Sequence, residues 1–334
     1  MSDSNNPTNP EYPWHKPSWD KFVTARSQDH LPHALLLVGA GGTGKLDFAK
    51  KIATSLLCTA PVDNKACQEC QSCKTYHANA NPDFMQITLL EDKQQISVDQ
   101  IRQLSEFIHY TRSFNGYRVI IINPIERMNQ NAANSLLKSL EEPADNTVII
   151  LVATNLGKIL PTIKSRCQLL TLATPDKNQA LSWLKSQSPD LVQAEELLDM
   201  ANGQPLTALN ISDEEIQAKE EFANQLLASC LKQKSITEVA KNWEKFDPQT
   251  LLNWQIRWLQ MLIKSRATSS QKSEINQSDN GQMLNRLDEI VSDQKQWDLY
   301  QQLVAQKQYI HTSVNSLMFV ENMLLLWLQA TSTS

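Results

Sequence analysis

A chain of 334 residues, 41% hydrophobic and 20% charged, is long enough for two or three domains with cores of their own. Its formal net charge of −5 argues against autonomous duplex-DNA binding, which depends on phosphate neutralisation by clustered Lys and Arg. No block of like charge, internal repeat or heptad run stands out, and no signal peptide or membrane span is visible, so a reducing cytoplasm is the expected compartment.

Residues 1 to 13 are polar and Pro-rich and read as flexible, ahead of Trp14 and Trp19 as the first anchors. Ala34-Leu35-Leu36-Leu37-Val38 reads as a short buried strand, and Asp47 to Leu57 has helical spacing at Phe48, Ile52, Ser55 and Leu56. Between them stands Gly39-Ala40-Gly41-Gly42-Thr43-Gly44-Lys45, followed by Leu46. In a working G-x-x-x-x-G-K-[ST] loop, backbone N–H groups cradle the phosphates, the lysine reaches the β and γ oxygens, and the last hydroxyl coordinates Mg²⁺. Leucine offers no oxygen. The pattern predicts a degenerate nucleotide site at Gly39, Gly42, Gly44 and Lys45, with binding left open and hydrolysis not expected. The competing reading is a glycine turn that binds nothing.

Cys58, Cys67, Cys70 and Cys73 follow with the spacing C-x8-C-x2-C-x2-C. Four thiolates suit tetrahedral Zn²⁺, and the short C-x2-C steps let one backbone knuckle present neighbouring sulfurs to the same ion. A site closed by four sulfurs leaves no position for water, so the expected zinc is structural. Disulfides and an iron–sulfur cluster are the alternatives, and His77 is a conceivable substitute ligand. Cys167 and Cys230 are left over as single apolar thiols.

Val119-Ile120-Ile121-Ile122 has the composition of a central parallel strand. Where a P-loop ATPase presents an Asp for Mg²⁺ and often a Glu for the attacking water, this chain has Asn123 and Pro124. Glu126 stands two residues late. Thr154 and Asn155 close another apolar strand, Val148 to Ala153. Glu141-Glu142 are adjacent helical residues that diverge by about 100° and so make a charged helix end, stopped by Pro143.

The texture changes near Thr174-Pro175-Asp176. Apolar groups from Ala180 to Leu209 fall at helical intervals and suggest a small helical lid domain, and Asp213-Glu214-Glu215 reads as the acidic first turn of another helix. The remainder is helical, with Trp243, Trp254, Trp258 and Trp327 in a heavy apolar supply; Ala267 to Gly281 reads as a mobile loop. The last helix needs burial on several sides, and Glu321 and Asn322 argue against a membrane span.

Taken together, the residues resemble the clamp-loader branch of the AAA+ family. The likeness rests on Leu31-Pro32-His33-Ala34-Leu35-Leu36 leading into the loop, on the Cys quartet, and on Ala132 through Leu140-Glu141-Glu142-Pro143. It continues through Ala153-Thr154-Asn155 and Ser165-Arg166-Cys167. It is dense over about residues 30 to 172 and thin beyond. It implies an α/β AAA+ P-loop domain over 1–172 with a parallel sheet and a zinc module at about 58–73. A helical lid would span 173–212 and an all-α collar 213–334. The resemblance further implies a non-hydrolysing part of the DNA polymerase III holoenzyme that helps load the sliding clamp onto primed DNA. Its partners would be the gamma/tau ATPase subunits and the delta subunit. The beta clamp would be engaged indirectly, and primer-template DNA through the complex. Gly203-Gln204-Pro205-Leu206 lacks the sensor arginine of active relatives, and Thr154 sits where relatives sense the γ-phosphate. Arg166 would act catalytically in trans, on the γ-phosphate bound by a neighbouring ATPase subunit. The alternative is an active clamp-loader ATPase.

Overall fold

The computed structural model describes residues 10–91, 93–188, 194–267, 280–310 and 315–332. The chain divides into two compact units, Met1–Asn210 and Ile211–Ser334.

The first unit is built on a five-stranded parallel sheet of β1 (Ala34–Val38), β2 (Phe84–Ile87), β3 (Arg118–Ile122), β4 (Thr147–Ala153) and β5 (Gln168–Thr171), in the order β2-β3-β4-β1-β5. The side-chain period of two divides each strand between two cores. Leu36, Ile120, Ile122, Ile149 and Leu151 face one way, onto Ile101 and Leu104 of α4 (Val98–His109) and Leu136 and Leu140 of α5 (Gln130–Glu141). Leu35, Leu37, Val119, Ile121, Val148 and Ile150 face the other, onto Phe22 of α1 (Lys16–Ser27) and Phe48, Ile52 and Leu56 of α2 (Lys45–Leu57). Both faces are covered, which is why β3 and β4 read as unbroken apolar runs.

The strands being parallel, their C-terminal ends open on one edge, where an α/β sheet binds ligands. The glycine loop joins β1 to α2 there and Thr154 follows β4, whereas Arg166, just ahead of β5 and after the short α6 (Pro161–Lys164), lies at the opposite, N-terminal edge. The far end of α2 leads into the cysteine insertion and α3 (Gln71–His77). Three helices complete the unit: α7 (Lys177–Gln187), α8 (Ala194–Met200) and α9 (Pro205–Leu209).

The second unit holds α10 (Asp213–Cys230), α11 (Ile236–Trp243), α12 (Pro248–Ala267), α13 (Gly281–Ile290), α14 (Asp293–Gln306) and α15 (Ser316–Thr331). Ser212 caps the acidic first turn of α10 by accepting from the Glu215 N–H. Phe222 packs against Trp243, Trp254 and Trp258, and Trp327 donates its indole N–H to buried Gln255 at 2.8 Å. The mobile loop expected over 267–281 lies, from 268 to 279, outside the described residues. No helix among the described residues is long and apolar enough to cross a membrane.

Candidate functional site

The glycine loop is closed by the chain itself. The Lys45 ammonium donates to the Ala40 carbonyl at 2.5 Å, and Thr43 Oγ1 donates to the same oxygen at 2.9 Å. Lys45 is buried, and burial holds its pKa below the ordinary value, against the opposing pull of the Glu126 carboxylate. Gly42 and Gly44 have φ of +58° and +79°, the left-handed region that favours glycine. Space is as restrictive as conformation there. A Cβ on Gly44 would stand 2.2 Å from the Tyr12 ring, and one on Gly42 would stand 2.3 Å from Thr207 Oγ1 and 2.8 Å from Gln204 Cβ. The Leu206 N–H donates to the Gly42 carbonyl at 3.1 Å, so the start of α9 is fastened to the loop. Gly39 continues β1, its N–H reaching the Ala153 carbonyl at 3.4 Å.

From the other side the loop is covered by the segment just before α1. Trp14 Nε1 and His15 Nε2 both donate to the Thr43 carbonyl, at 2.9 and 2.7 Å. Tyr12 stacks on Trp14, meets Trp183 of α7 edge-on, and donates its hydroxyl to Asp47 at 2.8 Å. Burial pulls the His15 imidazole down to about 4, only partly offset by its bond to Thr43, so it stays neutral at pH 7. The flexible reading of residues 1 to 13 therefore fails at Tyr12, which is 6% exposed; residues 1–9 lie outside the described residues. The physical reason is local: three aromatic rings within four residues supply more apolar area than a solvated tail can leave exposed.

Thr154 is also engaged. Its N–H donates to Glu126 Oε1 at 2.9 Å, and its hydroxyl makes a short bond to the same oxygen. Asn123 ends β3 with its N–H on the Ile87 carbonyl, and Leu46, where a magnesium-binding hydroxyl would stand, packs against the core beneath α2.

Cys58, Cys67, Cys70 and Cys73 come together in one cluster, their sulfurs all within 4.8 Å of one another and Cys58 Sγ 3.9 Å from Cys70 Sγ. Tetrahedral zinc with Zn–S of 2.3 Å requires sulfurs about 3.8 Å apart, so the set fits that ion. The N–H groups of Cys67, Cys70 and Cys73 point at the sulfurs of Cys58, Cys67 and Cys70, at 3.3 to 3.5 Å, which favours thiolates. Burial opposes ionisation of Cys70, yet hydrogen bonds from Thr59 and Cys73 bring it down to about 6. Burial raises Cys58 and Cys73. A cation is what would let all four ionise together. His77 is not in the cluster; it pairs with the Gln68 amide oxygen at 2.5 Å. Cys58 stands just past the C-terminus of α2 and the glycine loop just before its N-terminus, so 13 residues of helix, about 20 Å, separate them. A metal held there takes no part in phosphate chemistry at the loop.

Arg166 stands apart from both groups. Its side chain is 35% exposed, with Nη2 2.6 Å from Glu141 Oε1 and Nη1 donating to the Thr162 carbonyl at 3.0 Å. Its guanidinium remains open to solvent, unlike the buried ammonium of Lys45.

Residues 14–176 match a family model described as "DNA polymerase III, delta subunit". The subunit delta' of DNA polymerase III from Pseudomonas aeruginosa is 31% identical over 321 residues, spanning 95% of this chain and 97% of that protein. The chain belongs to the DNA polymerase III delta' family. The delta' subunit from Haemophilus influenzae is likewise 31% identical, over 76% of this chain and 78% of its own length. Among solved structures, a DNA polymerase III gamma subunit-related protein from Thermotoga maritima is 19% identical with a TM-score of 0.43, covering 93% of this chain and 100% of that one.

Sequence spacing marked the glycine loop, the cysteine quartet and Arg166 as candidates, and it missed what covers the loop. Tyr12, His15, Gln204 and Thr207 carry no phosphate-loop signature. The aromatic density of Tyr12, Trp14 and His15 was the one signal that could have marked them.

Proposed function

We propose that this chain is the non-hydrolysing member of a ring-shaped clamp loader, acting in DNA replication within the DNA polymerase III holoenzyme. It helps load the sliding clamp onto primed DNA and supplies Arg166 in trans to the ATP site of a neighbouring subunit. The observation that carries this reading is the bond from Lys45 to Ala40. The one cation a phosphate chain would need is turned onto its own loop, while the Arg166 guanidinium stays partly open to solvent beside Glu141.

The chemistry required of Arg166 is electrostatic. A planar guanidinium presents two donors in a fixed fork to the oxygens of a transferring phosphoryl group and offsets the charge that develops on them. Such fingers contribute roughly 10³–10⁵ in rate. The partners on this reading are the gamma/tau ATPase subunits and delta, the beta clamp indirectly, and primer-template DNA through the complex. The compartment is the cytoplasm. The layout has three parts: a P-loop-like AAA+ domain over 1–172 with a structural zinc held by Cys58, Cys67, Cys70 and Cys73, a lid over 173–212, and a collar over 213–334. The nucleotide site of Gly39, Gly42, Gly44, Lys45 and Thr154 is degenerate, and ATP binding there is weak or absent.

The experiment is to reconstitute the loader and compare clamp-dependent ATP turnover with wild-type and Arg166→Ala chains. Loss of turnover at one site of the ring is expected, whereas an unchanged rate would overturn the proposal. Magnesium-dependent hydrolysis by the purified chain, abolished by Lys45→Ala, would favour an active ATPase instead. Metal analysis should find one zinc per chain, and none once all four cysteines are replaced by serine.

A further inference from the structure

Arg166 does not project freely. Its guanidinium is folded back on the corner where α5 ends and α6 begins, with Nη2 on Glu141 Oε1 at 2.6 Å and Nη1 on the Thr162 carbonyl at 3.0 Å and Ser165 Oγ at 3.4 Å. Glu141 is the last residue of α5, and Pro143 prevents the helix from running on. The preceding residue, Leu140, receives His33 Nε2 on its carbonyl at 3.0 Å, which pins the helix end to the foot of β1. The carboxylate thus has a fixed backbone beneath it and a side chain 49% exposed.

That exposure argues against a purely structural role. Arg166 and Glu141 have side chains 35% and 49% exposed, and an ion pair so exposed contributes little to folding. What it can do is bias where a flexible cationic side chain rests. We propose that Glu141 is a positioning residue for Arg166, a resting counter-ion that parks the guanidinium on its own subunit until a neighbour's triphosphate displaces it. This rests on the reading of Arg166 as a finger acting in trans.

The strengths are ordered as such a latch requires. A carboxylate offers one negative charge in a water-screened setting, whereas a triphosphate offers several charges and more acceptor oxygens in a site from which water is being excluded. The latch yields to the correct partner and still lowers the population of free fingers before that partner is seated. An exposed pair of this kind shifts such a population roughly twofold to fivefold.

Glu142 is the internal control. It follows Glu141 in sequence, lies outside α5, and is exposed without bonding to Arg166.

The test uses the reconstituted loader without clamp or DNA and measures ATP turnover with wild-type, Glu141→Gln, Glu142→Gln, Arg166→Ala and Glu141→Gln/Arg166→Ala chains. The expected result is a kcat about twofold to fivefold higher for Glu141→Gln with KM for ATP unchanged, and no change for Glu142→Gln. Arg166→Ala should lower turnover, and the double variant should match it, because a latch has nothing to hold once the finger is gone. Thermal melting of the isolated Glu141→Gln chain should match wild type, which separates release of the finger from damage to the fold. If Arg166→Ala lowers turnover while Glu141→Gln leaves it unchanged, lowers it, or acts additively with Arg166→Ala, the latch is wrong and the finger stands. If Arg166→Ala has no effect, the finger reading fails and the latch with it.

Discussion

At the glycine loop the chain fills its own cradle. The Lys45 ammonium and the Thr43 hydroxyl share the Ala40 carbonyl, Gln204 and Thr207 crowd Gly42, and the Tyr12 ring lies against Gly44. At Arg166, on the opposite edge of the same sheet, the contacts are one half-exposed carboxylate and the oxygens of a short helix. The two cations differ above all in solvation. Moving Lys45 breaks close packing and strands a buried charge, which costs free energy with no outside partner to return it. Moving Arg166 gives up only one screened interaction. A group held that loosely can change partners without unfolding anything, and a group held as Lys45 is cannot.

The sharpest way to break this contrast is at Arg166 itself. Arg166→Lys keeps the charge and loses the planar fork, so turnover at the neighbouring site should fall nearly as far as for alanine, by roughly 10³-fold. Single-turnover ATP hydrolysis by the reconstituted loader reads this directly. A lysine that restored most of the rate would show that charge alone suffices and that the fork geometry is incidental.

The closed side of the comparison has its own lever in His15. Its folded value of about 4 lies below the ordinary 6.5, so the unfolded chain takes up this proton first. The stability that neutral His15 contributes is therefore fully present above pH 6.5 and is lost as the pH falls toward 4. The magnitude at the acid end is roughly 2–3 kcal/mol. Urea denaturation at pH 7.5 and pH 4.5 should show wild type losing more than His15→Gln by about that amount. Equal losses would mean that the imidazole is not sealed against the Thr43 carbonyl.

Somewhat smaller is the effect expected of Gly44→Ala. A left-handed backbone and a ring 2.2 Å from the new methyl together should cost roughly 1–3 kcal/mol, seen as a lower Tm. Part of that penalty belongs to Tyr12, so it should shrink in a Tyr12→Ala background. If the two changes simply add, the ring is not what closes the loop.

How much of this could be read in the sequence follows from how local each signal is. The β1 apolar run, the glycine loop and the opening of α2 are contiguous, and so is the cysteine quartet, so spacing alone placed them. Asp213-Glu214-Glu215 announced the start of α10 for the same reason. The cover over the loop was not legible, because Tyr12 and Gln204 are some 30 and 160 residues from Gly44 and only the fold brings them there. The Glu141 partner of Arg166 was visible as a charged helix end, but a separation of 25 residues hid the pairing.

The smallest effect is also the most discriminating. Leu46→Ser and Asn123→Asp together would return an oxygen ligand and a carboxylate to the places where a working loop holds Mg²⁺. Two missing ligands would be a sufficient account of inactivity if the loop were otherwise open, and the double variant should then gain magnesium-dependent turnover. The packing predicts no gain. Lys45 stays on Ala40, the Tyr12 ring stays on Gly44, and Gln204 stays over Gly41 and Gly42, so phosphates would have to displace all three. The cost of removing Leu46 from its contacts at the core should be about 1 kcal/mol or less, since it is only partly buried. Adding Tyr12→Ala to the double variant is the decisive step. If nucleotide binding, read by fluorescence of a labelled ADP, appears only in the triple variant, the aromatic cover closes the loop; if it appears in the double variant, the missing ligands alone had disarmed it.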